Sequence, residues 1–348
     1  MNAVHEFPPG LYHSPFRAAW WLRNPHLQTL FSTFFRRPPQ LARERETLAL
    51  PDGDFLDLDW HRPEGWTPDR PQVLIVHGLS GNSDSHYVLG LQAALSARGW
   101  ASVAMNCRGA SRPNNLPRTY HAGASDDLRL ALEHMRARFP ATPRAVVGYS
   151  LGGNMTLKLL GELAAEGNDG LVFTGVAVSA PLVLTLCADR MDQGISQLYR
   201  RHFLAELVSL WEAKMRHLES VGHVDAARRV QERLLHGPFR SFWHFDDVLV
   251  APLHGFADVH DYYHRSSSRQ FLRRIHIPTL VIHSHDDPLM SPGVLPEVAE
   301  LSSAVHFELC HQGGHVGFIE GGTPLSPRYY LERRIPDFLE RQFARLRG

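Results

Sequence analysis

The sequence predicts a protein of the α/β class, with a mostly parallel sheet that helices cover on both faces and with a separate helical insertion. Short apolar runs rich in valine and isoleucine alternate with helical patterns along residues 72–178 and again after residue 279. This alternation is typical of parallel strands joined by helical crossovers. Residues 187–240 instead carry two helical patterns with no strand between them. We therefore expect one sheet whose chain is interrupted by a helical cap.

The individual elements follow from periodicity and turn residues. Residues 51–54, Pro-Asp-Gly-Asp, are a hairpin signal, and Gly99 should end the helix before it. The predicted strands are residues 47–50, 55–60, 72–76, 101–105, 171–178, 279–283 and 304–309, with another strand at Val146 and Val147. The predicted helices are residues 89–98, 151–165, 195–217, 224–235 and 328–346, with another whose first turn carries Asp126 and Asp127.

These patterns divide the chain into four segments. Residues 1–43 form an N-terminal arm, 44–186 the first part of the core, 187–265 the helical cap insertion, and 266–348 the second part of the core. The arm is rich in aromatic residues and arginine. Because its prolines should break a long amphipathic helix, we expect the arm to pack on the body of the protein, and contact with a membrane surface is the alternative.

Composition excludes several classes of function. The 36 basic and 36 acidic side chains give no net charge, which argues against a nucleic-acid partner. The three cysteines are widely spaced and odd in number, which favours a reducing compartment. Neither a signal-peptide pattern nor a transmembrane segment is apparent. We therefore expect a cytoplasmic protein that acts on a small molecule.

A Gly-Tyr-Ser-Leu-Gly sequence at residues 148–152 lies between an apolar strand and an amphipathic helix. This G-x-S-x-G pattern in a strand-to-helix context is the nucleophile elbow of the α/β-hydrolase fold. The sharp turn would lift the Ser150 hydroxyl above the sheet, at the positive end of the helix. The pattern alone also fits a glycine-rich helix start capped by serine, so the partners of Ser150 must decide.

Acyl transfer by serine needs a base and an acid, which follow the serine in this chain order in such folds. The strand at residues 279–283 leads into Asp286 and Asp287, and we choose Asp287 because Pro288 stiffens the turn after it. The next strand leads into His311 and His315. We choose His315, because two glycines give it a longer reach from the strand end.

Two backbone amides, those of Leu79 and Leu151, are the predicted oxyanion hole. Leu79 follows His77-Gly78 at the end of a predicted strand, where His77 should brace the loop. A metal-assisted hydrolase is the competing hypothesis, because histidines and aspartates cluster in sequence at His283, His285, Asp286, Asp287, His311 and His315. The chain lacks an H-E-x-x-H spacing, so we predict no metal and no cofactor.

Several separated motifs resemble the YheT-like branch of α/β-hydrolases, a family related to eukaryotic α/β-hydrolase-domain lipases. They occur at residues 24–29, 77–81, 83–87, 106–109, 148–153, 245–247, 255–256, 262–263, 286–288 and 313–318. The resemblance implies a Ser150–Asp287–His315 triad and hydrolysis of carboxylic esters, with phospholipids as substrates of some relatives. An acyltransferase, a thioesterase and a non-catalytic scaffold remain alternatives. In the cap, apolar side chains expected near an acyl group are Leu198, Phe203, Leu204, Leu207, Leu210 and Trp211.

Overall fold

A nine-stranded sheet forms the centre of the protein, which is described here by a computed structural model of residues 7–348. Its strands are β1 (Gly10–His13), β2 (Glu44–Ala49), β3 (Phe55–His61), β4 (Gln72–Val76), β5 (Ala101–Asn106), β6 (Arg144–Tyr149), β7 (Thr174–Val178), β8 (Thr279–Ser284) and β9 (Val305–Cys310). Their spatial order is β1-β9-β8-β7-β6-β4-β5-β3-β2. The pairs β2–β3 and β3–β5 are antiparallel, and the other neighbours are parallel. The predicted α/β-hydrolase fold is confirmed.

Helices cover both faces of this sheet. The helices of the described chain, including those of the cap, are α1 (Pro25–Phe35), α2 (His86–Ser96), α3 (Ser125–Arg138), α4 (Leu151–Ala165), α5 (Leu184–Met191), α6 (Ser196–Ser220), α7 (Val224–Leu234), α8 (Phe242–Phe245), α9 (Ala251–Leu253), α10 (Val259–Ser266) and α11 (Tyr330–Arg347). Apolar side chains of α3 and α4 pack in the core on one face, and those of α2 and α11 pack on the other. Burying both faces explains why the central strands are almost uniformly apolar.

The cap has an apolar core of its own. Helices α6 and α7 pack together around side chains such as Trp211, Leu218 and Val230. Lys214 is fully buried and donates hydrogen bonds to the carbonyl oxygens of Leu116, at 3.0 Å, and Arg118, at 3.2 Å, which ties the cap to the core. The two helices predicted for this region are confirmed, with ends that differ by up to three residues.

The arm contains one short helix and one strand that were not predicted, although no long helix runs through its prolines. Pro25 does not break a helix but occupies the first turn of α1, where its missing N–H costs nothing. The side chain of Asn24 caps this helix by accepting hydrogen bonds from the backbone N–H groups of His26 and Leu27. The arm also supplies β1, which pairs in parallel with β9 at the edge of the sheet.

Two further differences are local. The strand predicted at residues 171–178 begins only at Thr174, because the residues before it form a short 3₁₀ turn. A two-stranded hairpin of β10 (Ile319–Thr323) and β11 (Ser326–Tyr329) was not predicted. In the part of the chain that the structure describes, every helix is too short or too polar to cross a lipid bilayer.

Candidate active site

Ser150 lies on a tight turn between β6 and α4. Its φ of +50° is in the left-handed region, which a non-glycine residue adopts only under constraint. The flanking glycines are required by close approach: a Cβ on Gly148 would lie 2.2 Å from the carbonyl oxygen of Gly152, and a Cβ on Gly152 would lie 2.5 Å from that of His77. The backbone N–H of Ser150 donates to the carbonyl oxygen of Val178. The turn is therefore fixed by its nearest neighbours.

A chain of two hydrogen bonds joins the three side chains predicted from the sequence. The Oγ of Ser150 lies 2.8 Å from Nε2 of His315, and Nδ1 of His315 lies 2.7 Å from Oδ2 of Asp287. Because a carboxylate only accepts, the Nδ1 atom of His315 carries the proton and the Nε2 atom is free to accept one from the serine. Asp287 and His315 are buried, and the other oxygen of Asp287 accepts from the N–H of Leu289.

The two rejected candidates lie elsewhere. Asp286 turns away from the histidine ring, and its Oδ1 accepts a hydrogen bond from the backbone N–H of Gly314. Burial raises the pKa of the Asp286 carboxyl. His311 is exposed and stacks on His13 of the arm at 5.1 Å between ring centroids. The structure thus brings together Ser150, His315 and Asp287, and leaves Asp286 and His311 outside this chain.

Two tyrosines order the loop that carries Leu79. The Tyr87 hydroxyl accepts from the N–H of Gly78 at 2.9 Å, and the Tyr120 hydroxyl accepts from the N–H of Ser80 at 2.9 Å. Between them, the N–H of Leu79 has no acceptor among residues 7–348, and the same holds for the N–H of Leu151 at the start of α4. A Cβ on Gly78 would lie 3.0 Å from that of Ser150, so this loop runs directly beside the serine.

His77 braces this loop, as the sequence suggested. Its Nδ1 lies 2.7 Å from the carbonyl oxygen of Gly78, and its Nε2 accepts from the backbone N–H of Cys107 at 3.1 Å. Nδ1 therefore carries the proton, and the ring is neutral. Complete burial lowers the pKa of His77 to about 4.

The loop of His315 rests on the arm, through the motif at residues 24–29. The Oγ1 of Thr29 accepts from the backbone N–H of His315 at 2.9 Å and donates to the carbonyl oxygen of Pro25 at 2.8 Å. The fully buried Gln28 accepts from the N–H of Ile319 and donates to its carbonyl oxygen, at 2.8 and 3.1 Å. The Asn24–Thr29 motif therefore holds the backbone on both sides of this loop.

A cavity of about 690 Å³ opens beside Ser150 and His315. Helix α1 of the arm, the core loops and the cap all contribute to its walls, and most of the lining is apolar. Five of the six cap side chains expected near an acyl group line it: Leu198, Phe203, Leu207, Leu210 and Trp211. The sixth, Leu204, packs in the core of the cap instead.

Asp246 is a buried carboxyl in the cavity wall. It begins a π-helical turn, Asp246–Val250, and one of its carboxylate oxygens accepts from the Tyr263 hydroxyl at 2.7 Å. Such turns occur often at functional sites. Burial raises the pKa of Asp246 to about 7. The preceding Phe245 and following Asp247 mark this site in the sequence, but nothing there indicates that the carboxyl reaches the cavity.

The cluster of histidines and aspartates near residues 283–315 does not assemble into a metal site. Within the described range, no three His, Cys, Asp or Glu side chains are arranged to hold one metal ion. The His283 ring is buried against Phe307, and burial lowers its pKa to about 4. Of this group, Asp287 and His315 are hydrogen-bonded to each other, whereas Asp286 accepts from Gly314 and His311 stacks on His13.

Comparison with known proteins places the chain in a family. Residues 71–322 match the sequence profile of the α/β hydrolase fold. The candidate esterase YheT of Escherichia coli (strain K12) is 39% identical over 97% of this chain and 95% of its own length. The chain belongs to the YheT-like α/β-hydrolases. Phospholipase ABHD3 of Homo sapiens is 26% identical to this α/β-hydrolase, over 90% of the chain and 75% of its own length.

Solved structures agree on the fold. The Pyrococcus furiosus esterase Pf2001 superposes with a TM-score of 0.53 at 16% identity, over 88% of this chain and 99% of its own. The α/β hydrolase GrgF from Penicillium sp. sh18 gives a TM-score of 0.52 at 16% identity, over 87% and 100%. Together with the family match, these findings establish an α/β-hydrolase of the esterase and lipase type.

Proposed function

We propose that this α/β-hydrolase cleaves carboxylic esters with Ser150 as nucleophile, His315 as base and acid, and Asp287 as the residue that orients and stabilises His315. The observation that carries the proposal is the pair of hydrogen bonds, 2.8 Å and 2.7 Å long, that joins the three side chains. Their order and tautomer are those that serine acyl transfer requires.

In the first half-reaction the Oγ of Ser150 attacks the acyl carbonyl carbon while its proton passes to Nε2 of His315. The carbonyl oxygen becomes negative beside the N–H groups of Leu79 and Leu151, which we assign as the oxyanion hole. His315 then protonates the departing alkoxide, and an acyl-serine remains. Water attacks this ester, gives its proton to His315, and the proton returns to Ser150 as the acid leaves.

The cavity favours an ester with an apolar acyl group. Its walls combine leucine, phenylalanine and tryptophan side chains from the cap with Leu30 and Phe34 from the arm. Two relatives are named for lipid substrates. One is phospholipase ABHD3, and the other is the monoacylglycerol lipase ABHD2 of Danio rerio, which is 28% identical over 88% of this chain and 75% of its own length. Both names support lipid-like esters as the substrate class.

Hydrolysis of p-nitrophenyl esters from acetate to palmitate tests the proposal. We expect chelator-resistant turnover in the wild type, a preference for chains longer than acetate, and a loss of about 10⁶-fold in Ser150→Ala. A fluorophosphonate should label the wild type and leave Ser150→Ala unlabelled.

Three outcomes would contradict the proposal. Turnover that survives in Ser150→Ala and disappears with a chelator would indicate metal-assisted hydrolysis. Faster turnover of a thioester, or transfer to an added alcohol in preference to water, would indicate a thioesterase or an acyltransferase. Absence of both turnover and labelling would indicate a scaffold.

A further inference from the structure

Helix α1 buries two polar side chains and exposes three apolar ones, while Leu30 and Phe31 are half-buried. Its buried side chains are Gln28 and Ser32, whereas Leu27, Phe34 and Phe35 are 54%, 70% and 72% exposed. A helix at the surface of a water-soluble protein normally shows the opposite pattern, because burying apolar area is what stabilises its packing. Contiguous exposed apolar side chains of this kind usually mark a binding surface.

This exposed face borders the mouth of the cavity. Phe34 lines the cavity and is mostly exposed, and the same is true of two cap residues, Ile195 (57%) and Leu198 (61%). A side chain that both lines a cavity and faces solvent lies at its opening. The arm and cap are joined here, since the His26 ring stacks on Tyr199 and its Nδ1 lies 3.1 Å from the tyrosine hydroxyl. Apolar side chains therefore border the entrance from two sides.

The charge of the arm indicates what this surface binds. Residues 7–43 contain five arginines and no acidic residue. Arg36 and Arg43 pair with Glu332 and Asp84, whereas three exposed arginines make no ion pair with a described residue: Arg17, Arg23 and Arg37. Apolar side chains next to free cations are suited to a bilayer with anionic headgroups, into which aromatic and aliphatic groups insert while arginine stays at the surface.

We propose that the exposed face of α1 and the rim formed by Ile195 and Leu198 dock on an anionic lipid surface, from which an acyl ester enters the cavity. The proposal rests on the proposed function for the fate of that ester, but docking itself does not depend on turnover. It therefore can be measured in the Ser150→Ala protein, so that failure of docking and failure of ester hydrolysis are separate results.

Flotation with vesicles of phosphatidylcholine, with and without phosphatidylglycerol, tests docking. We expect the Ser150→Ala protein to float with the anionic vesicles. When Leu27→Ser and Phe35→Ser are added to this protein, its partitioning onto the vesicles should weaken by at least about tenfold. Added Arg23→Gln and Arg37→Gln should weaken it on anionic vesicles alone. The matched control is Val224→Ser with Leu235→Ser, two exposed apolar side chains at the two ends of α7 in the cap, which should float like the parent.

Leu27 and Phe35 do not line the cavity, so their serine variants with Ser150 intact should hydrolyse a soluble short-chain ester at the wild-type rate, which shows that they fold. Flotation that is absent, or that the Leu27→Ser and Phe35→Ser changes leave unaltered, would overturn the proposal. A wild-type dimer that the same changes convert to a monomer, without vesicle binding, would also overturn it and assign the face to self-association.

The opposite side of α1 contacts the loop of His315. Thr29 holds the backbone of His315, and Gly314 fits there only because it has no side chain: a Cβ would lie 2.4 Å from the carbonyl oxygen of Pro25 and 2.7 Å from Oγ1 of Thr29. Likewise, a Cβ on Gly317 would lie 2.3 Å from the carbonyl oxygen of Gln28. The loop is thus shaped to fit this one turn of α1.

We infer that Thr29 is a positioning residue for His315, acting through the backbone of the loop. An error of about 1 Å in the base can cost about 100-fold in rate, and binding of the acyl group need not change. Thr29→Val keeps the shape of the side chain but removes the hydroxyl. We expect kcat for a p-nitrophenyl ester to fall about 10- to 100-fold with KM nearly unchanged, and Thr29→Ser to restore most of it.

Ser32→Ala is the control, because it removes a buried hydroxyl from the same helix at a residue whose side chain contacts Tyr329 rather than the loop. It should lower the melting temperature about as much as Thr29→Val while leaving kcat within about twofold. A Thr29→Val enzyme with wild-type kcat, or with a loss that Thr29→Ser does not restore, would overturn the inference. If Ser150→Ala also retained turnover, the proposed function itself would fail instead.

Discussion

The turn of Ser150 and the loop of His315 both contain strained backbone, but different parts of the chain hold them. Ser150 has a φ of +50°, and its turn is closed by Gly148 and Gly152, within two residues of it, which pack tightly against each other and against His77. In the loop of the histidine, Val316 and Phe318 have φ values of +60° and +46°. The backbone N–H of Val316 donates to Oγ of Ser179, and the flanking residues His315 and Ile319 donate to side chains of α1, about 290 residues earlier. Strain at a reactive site thus persists where neighbours over-determine it, and those neighbours can be local or remote.

Among changes that leave Ser150 in place, the largest loss of activity is expected from a change on the histidine side. In Asp287→Asn the amide can no longer require a proton on Nδ1 of His315, so the ring can take the wrong tautomer, and we expect kcat to fall about 10⁴-fold. Asp286→Asn is the matched change, because its Oδ1 can still accept from Gly314, and it should cost at most about tenfold. Steady-state hydrolysis of a p-nitrophenyl ester measures both, and equal losses would show that the assignment of Asp287 is wrong.

A substitution of a glycine beside Ser150 should mainly lower the stability of the fold. A Cβ on Gly152 would meet the backbone oxygens of His77 and Val76 at 2.5 and 2.6 Å, and backbone cannot rotate away. We expect Gly152→Ala to lower the free energy of unfolding by about 3 kcal/mol, measured by urea denaturation. In Gly170→Ala the new Cβ would have no heavy atom within 4 Å, and stability should stay within about 0.5 kcal/mol of wild type.

Lowering the pH should have a smaller effect on stability, and this effect should arise on the serine side of the site. His77 braces the loop beside Ser150 as a neutral ring with a pKa of about 4, below the usual 6.5. The unfolded chain therefore binds more protons between these values, and stability that is complete above about pH 6.5 is lost as the pH falls towards 4. Between pH 7 and pH 5, His77 alone should cost about 2 kcal/mol.

Urea denaturation at several pH values, with NMR titration of the His77 ring, measures this effect. Many of the contacts around the His315 loop come from threonine, glutamine and serine side chains, which do not titrate between pH 5 and 7. A His77 ring that becomes protonated near pH 6.5 in the folded protein would contradict the prediction.

The same contrast explains what could be predicted from the sequence. The turn of Ser150 can be recognised from five consecutive residues. Asp287 and His315 can be recognised because each follows a strand that a short apolar run predicts. The side chain of Thr29 under His315, and the carboxyl of Asp246 in the cavity wall, depend on packing between distant segments. Pro25 and Pro38 bound α1 at 11 residues, which agrees with the predicted break of a long helix, but the sequence did not indicate that Pro25 would start a helix with Asn24 as its cap.

The pairing of β1 with β9 has a consequence for how the protein is made. The arm emerges from the ribosome well before β9 and the loop of His315. Until residues 305–319 are synthesised, β8 is an open sheet edge, β1 has no strand to join, and Thr29 has no backbone to hold. Closing the sheet and completing the proposed site therefore both wait for the same segment, and we expect a nascent chain that already carries Ser150 to remain inactive until that segment is made.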